Sequence, residues 1–150
     1  MSVHATLPPG ALDEIPVEQA MHPGVLTCPP ETPLRDVARM MARYRIHAVV
    51  AFSEDEEGER LPELWGVISD SDLVAAAAAG DVDERTAGGT ARTSAVTVSG
   101  TTALGQAAEL MTHHGVTHLV VLSPETHRPV GILSTLDVAA ALAGEPGSGR

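Results

Sequence analysis

Two stretches of the chain carry the same run of residues that could do chemistry. They are Gly66-Val67-Ile68-Ser69-Asp70-Ser71-Asp72 and Gly131-Ile132-Leu133-Ser134-Thr135-Leu136-Asp137. Each reads glycine, two aliphatics, serine, two variable residues and aspartate. The aliphatic pairs suit a buried strand and the Ala-rich runs that follow, 73–79 and 138–143, suit helices, so each stretch predicts a strand-to-helix turn. The first amides of a helix lack intrahelical partners and carry positive partial charge, which makes such a turn a seat for a phosphate or a carboxylate. Ser69 with Asp72, and Ser134 with Asp137, flank that seat. The same Ser-x-x-Asp spacing is also that of a helix capping box, a purely structural use. What favours binding over capping alone is the repetition of everything around the two turns.

The elements that must position these residues repeat as well. Thr27, Thr32, Leu34, Ala38, Met41 and Val50 return seventy positions later as Thr97, Thr102, Leu104, Ala108, Met111 and Val120. Gly66, Ser69 and Asp72 return sixty-five positions later, because the acidic loop between 53 and 63 is five residues longer than its counterpart. This is an internal duplication. Thr32-Pro33 supplies a helix start, and Leu34, Val37, Ala38 and Met41 fall on one face opposite Arg35, Asp36, Arg39 and Arg43. Short strands are predicted at 25–27, 46–52 and 64–69, with 17–21 a helical turn. The fold class is therefore α/β in the α+β sense, two β-α-β-β-α repeats packed as a pseudo-two-fold pair. The partition read from the sequence is a flexible arm over 1–16, repeat one over 17–80, a linker over 81–92, repeat two over 93–143 and a flexible tail over 144–150. One repeat of about sixty residues buries too little surface to stand alone, so the two should pack together.

Composition excludes several classes of function. A formal net charge of −11, with nine arginines and no lysine, argues against nucleic acid or an anionic membrane as a partner. Cys28 is the only cysteine, which excludes an intramolecular disulfide and fits a reducing compartment; no apolar run approaches the length of a membrane span. The expected location is the cytoplasm. Hydrophobic residues make up 43% of the chain while only Tyr44, Phe52 and Trp65 are aromatic, so the core must be aliphatic. The missing lysine beside abundant Ala, Gly and Arg matches the bias of a high-GC bacterial genome.

With the helical Met21, the Thr on the first strand, the amphipathic helix with Met near its end, and Gly-h-h-Ser-x-x-Asp before the last helix, the chain resembles a tandem pair of CBS domains. The resemblance spans about 17–143 and implies a regulatory module with two clefts for adenine nucleotides or adenosyl compounds. In it the Asp would hold ribose hydroxyls and the Ser, with the helix N-terminus behind it, would face phosphate. Carried over residue by residue, one cleft would use Ser69, Asp72, His47, Ala48, Thr97 and Val98. The other would use Ser134, Asp137, Thr117, His118, Thr27 and Cys28. Candidate ligands are AMP, ADP, ATP or S-adenosylmethionine. The missing lysines weigh against the most charged of them, leaving Arg45, His47, His113, His114, His118 and Arg128 as the available cations.

Three rival uses are weaker. His113, His114 and His118 fail as a metal set because Gly115 ends the helix between them. The acidic residues 54–59 lack the ligand spacing of a calcium loop, and Cys28 beside two prolines reads as a small packed hydrophobe. No nucleophile with a neighbouring base is evident, so the expectation is no enzyme, no metal and no required cofactor. The expected protein is a stand-alone sensor acting on an unknown partner in trans, and the alternative is a non-binding scaffold working through protein–protein contact. The small side chains of both last helices predict a homodimer. Asp70, an extra carboxylate in the first turn, occupies the positive field that a phosphate would use, so the cleft at Ser134 and Asp137 is expected to bind more tightly.

Overall fold

Apolar residues at 34, 37 and 41, and again at 104, 107 and 111, create the two long helices around which everything else folds. The computed structural model describes residues 11–54, 63–91 and 96–144. In chain order they form α1 (Val17–Ala20), β1 (His22–Pro23), β2 (Thr27–Cys28), α2 (Leu34–Tyr44), β3 (Ala48–Ser53), β4 (Glu63–Ser69) and α3 (Asp70–Ala79). There follow α4 (Ala87–Thr90), β5 (Thr97–Ser99), α5 (Leu104–His114), β6 (His118–Leu122), β7 (Pro129–Ser134) and α6 (Thr135–Leu142), with 3₁₀ turns at Ala11–Glu14 and Val82–Glu84. The architecture is the expected α+β, with the strands in two sheets. No helix among the described residues is long and apolar enough to cross a membrane.

Two compact units result. Residues 26–54 and 63–91 form one, with strand order β2-β3-β4, in which β2 runs parallel to β3 and β3 antiparallel to β4. A parallel pair needs a crossover, and α2 supplies it. Its face buries Leu34, Val37 and Met41 against Val49, Ala51 and Ile68. Residues 11–25 and 96–144 form the other unit, with order β1-β7-β6-β5 and α5 as the crossover between parallel β5 and β6. Here Leu104, Ala107 and Met111 pack with Leu119, Val121 and Leu133. Both long helices end in a left-handed residue, Arg45 at φ 53° and Gly115 at φ 62°, and in both the next amide returns to the methionine carbonyl, 3.1 Å away.

The units do not follow the repeats along the chain, because their leading segments are exchanged. Val17 N–H donates to Thr102 C=O at 2.8 Å and Leu104 N–H to Ile15 C=O at 2.8 Å, which docks α1 on the second repeat. Ala87 N–H donates to Thr32 C=O at 2.7 Å and Leu34 N–H to Arg85 C=O at 3.0 Å, which docks α4 on the first. The segment 81–91, read from the sequence as a linker, is thus part of a folded unit. The described part of the expected flexible arm is also ordered, since Leu12 and Ile15 pack on the core beneath α5. The acidic run 55–62 and the tail 145–150 lie outside the described residues.

Beyond α1 the chain runs along β7 as β1, with Pro23 opposite Gly131 and His22 opposite Ile132. That approach requires glycine at 131: a Cβ there would sit 2.5 Å from Met21 Sδ and 2.7 Å from His22 C=O. The glycine that opens the second motif is therefore a packing residue. Gly131→Ala is expected to lower stability by about 1–3 kcal/mol through overpacking. A urea midpoint unchanged from the parent would refute the close approach.

Candidate functional site

Strand β4 delivers Ser69 in extended conformation and α3 begins at the next residue, so the predicted turn is where the sequence places it. Ser69 N–H donates to Asp72 Oδ2 at 2.8 Å, and the Ser69 hydroxyl donates to the same oxygen at 3.0 Å. Strand β3 lies alongside with Ala48 opposite Ser69. His47 precedes it, its Nδ1 2.9 Å from Asp70 Oδ2 and its carbonyl accepting Asp70 N–H at 3.0 Å. Four of the expected residues, His47, Ala48, Ser69 and Asp72, are thus neighbours. Asp72 is half-buried, and its Oδ1 has no hydrogen-bond partner among the described residues.

The second turn is built on the same frame. Ser134 N–H and its hydroxyl donate to Asp137 Oδ2 at 2.8 and 3.0 Å, and Asp137 N–H returns to the Ser134 oxygen at 3.2 Å. His118 lies opposite Ser134, and Thr117 C=O accepts Thr135 N–H at 3.1 Å. The Thr117 hydroxyl meets His118 Nδ1 at 2.9 Å. Asp137 is only 5% exposed, and His22 closes over it with Nδ1 3.0 Å from Oδ1 and 3.1 Å from Oδ2. A carboxylate can only accept, so Nδ1 is the donor.

Both aspartates therefore close capping boxes, and the two uses of Ser-x-x-Asp coexist in one geometry. The first amide of each helix, expected to be unpartnered, is taken by the neighbouring strand's carbonyl. The third amide is taken by the serine oxygen of the box, which leaves for a ligand the second amide of each helix and whichever carboxylate oxygens stay accessible.

The other expected residues lie on the first strand of each repeat. Thr27 is exposed, but Cys28 is a core residue packed with Leu34 and Val37. Burial pushes its thiol above the ordinary range, partly offset by a hydrogen bond with Thr32. Thr97 is exposed and Val98 buried on β5; with Leu122 and His127 they border a shallow hollow of about 320 Å³. His22 was missed by sequence reasoning. Its only signal is its place just after the helical Met21, since the carboxylate it meets is 115 residues away.

Two consecutive turns of this kind, each closing a strand-helix-strand-strand-helix unit, match the sequence pattern of the CBS domain over residues 17–79 and 87–144. The chain belongs to the CBS domain family. No curated protein matches its sequence. Among solved structures, Hypoxic Response Protein I with two coordinated zinc ions is 28% identical with a TM-score of 0.65, over 84% of this chain and 98% of that one. The CBS domain pair of protein MJ0100 in complex with 5-methylthioadenosine and S-adenosyl-L-methionine is 18% identical, TM-score 0.68, over 86% and 96% of the two chains. The CBS domain of a bacterial CNNM/CorC family Mg2+ transporter is 20% identical, TM-score 0.71, over 89% and 78%.

The two CBS turns should differ in what their aspartates do for stability. Asp72→Ala removes a cap and is expected to cost about 1 kcal/mol. Asp137→Ala removes the same cap and in addition leaves His22 without its buried acceptor, and is expected to cost about 2–4 kcal/mol. Urea unfolding of both variants reads the difference, and equal losses would contradict it.

Proposed function

We propose that this CBS pair is a regulatory module that binds an adenine nucleotide or adenosyl ligand at its strand-to-helix turns and passes the binding state to a protein partner. The observation that carries the reading is Asp72. It is half-buried at a helix start, with one oxygen held by Ser69 and the other without a hydrogen-bond partner among the described residues, able to accept a ribose hydroxyl, while His47 contacts Asp70 of the same turn. A vicinal diol donates two hydrogen bonds to one carboxylate, and helix amides receive an anion without a metal. The complex of the MJ0100 domain pair with two adenosyl compounds supports that ligand class. AMP, ADP and S-adenosylmethionine fit better than ATP, since a chain of net charge −11 has no lysine to neutralise a triphosphate.

The module carries out no catalysis of its own in this reading. At the second turn the Ser134 hydroxyl donates its proton to the carboxylate of Asp137, and His22 contacts that same carboxylate rather than the serine. Ligand is bound and released unchanged. Thermal unfolding with AMP, ADP, ATP and S-adenosylmethionine tests the reading, because a ligand at a hundred times its dissociation constant adds about 2.7 kcal/mol. A stabilisation that Asp72→Ala abolishes is expected. Unfolding curves indifferent to all four ligands would favour a scaffold that acts by protein contact alone.

The surface helices carry the second part of the reading, a homodimer. Only Ala76 of α3 is buried, while Val74 is 69% exposed, and on α6 Leu136 is 71% and Leu142 53% exposed. Alanine-rich helices with such residues approach one another closely, and a second copy would cover them. Light scattering at micromolar concentration is expected to give twice the 15.5 kDa chain mass. Val74→Glu with Leu136→Glu should return the monomer mass, and a parent protein already at that mass would contradict the dimer.

A further inference from the structure

The two turns share one frame and differ in what lies across the carboxylate. Ser69 and Ser134 make the same pair of contacts with Asp72 and Asp137, at identical distances of 2.8 and 3.0 Å. The difference comes from β1. Its register against β7 places His22 opposite Ile132, Gly24 N–H holds the far end on Val130 C=O at 2.9 Å, and Gly131 leaves room for the crossing. His22 is thereby fixed with Nδ1 within 3.1 Å of both Asp137 oxygens, the position from which a diol would have to donate. No described residue occupies the corresponding position at Asp72.

We infer that His22 is a specificity-determining residue that closes the Asp137 turn and confines ligand to the turn at Ser69 and Asp72. The inference rests on the nucleotide reading above for the identity of the ligand, though not for the closure itself. A diol reaching Asp137 must first displace His22, exchanging one set of hydrogen bonds for another at a carboxylate that is 5% exposed. At Asp72 it meets Oδ1, which has no hydrogen-bond partner among the described residues. This reverses the ranking expected from the sequence, in which the second turn binds more tightly.

Two measurements test it together. Carbodiimide-driven coupling of glycinamide, mapped by peptide mass, reports carboxylate access without any ligand. Asp72 should be labelled and Asp137 protected in the parent, and His22→Ala should bring Asp137 to the labelling rate of Asp72. Equilibrium dialysis with AMP should give one molecule per chain for the parent, two for His22→Ala, and none for Asp72→Ala. The Asp72 variant, altered at a half-buried position, keeps the test decisive even where His22→Ala fails to fold. Labelling of Asp137 in the parent at the Asp72 rate, or AMP binding that survives Asp72→Ala, would overturn the inference. The expected labelling pattern with no AMP bound by any variant would sink the nucleotide reading and leave the closure by His22 standing.

Discussion

Each long helix of this chain needs a segment from elsewhere to receive its first amide, and that need is met by exchange. Leu104 N–H finds Ile15 C=O, and Leu34 N–H finds Arg85 C=O, so the backbone before each repeat is tied to the repeat it does not precede. Buried amides without partners cost too much to be left, and a helix start is where they concentrate. The ties fix α1 and, beyond it, β1 on the β7 edge. From that placement follow the glycine at 131, the position of His22 and the burial of Asp137.

Had each repeat capped its own helix, the two turns would differ only in sequence. The exchange instead lets the chain place a histidine over one turn through a segment remote from it. Duplication gives two equivalent frames, and the docked segment that carries His22 adds a contact to one of them. The helix cores tolerate this because they do not depend on it: Leu34, Val37 and Met41 in one unit and Leu104, Ala107 and Met111 in the other pack the same way.

Much of this was legible in the sequence, and the reason is physical. The seventy-residue offset, the faces of α2 and α5 and both turns are written in local patterns of period two and 3.6, which survive without knowledge of the partner surface. The neighbourhood of the first turn was legible to the same depth: Ser69, Asp72, His47 and Ala48 meet because adjacent strands bring them together. The exchange of α1 and α4 was not, since four-residue helices carry no period of their own. Cys28 was legible as a packed hydrophobe, although the resemblance also placed it in the second cleft, and its side chain lies in the core. The pairing of His22 with Asp137 spans 115 residues and follows from the exchange, which no local rule encodes.

Two arguments rank the turns in opposite order, and magnitude decides between them. Asp70 places an extra carboxylate in the first turn of α3, and one exposed charge at a helix end is worth about 0.3–1 kcal/mol. Its weight is reduced further by His47, whose imidazole sits 2.9 Å from the Asp70 carboxylate. Against this stands the contact of His22 with Asp137. Hydrogen bonds to a charged group are worth about 1.5–3 kcal/mol, and at a buried carboxylate there is little water to replace them. The contact outweighs the field. Electrostatics read from a list of residues counts charges, whereas binding depends on which of them are already paired, and Asp137 is paired with His22.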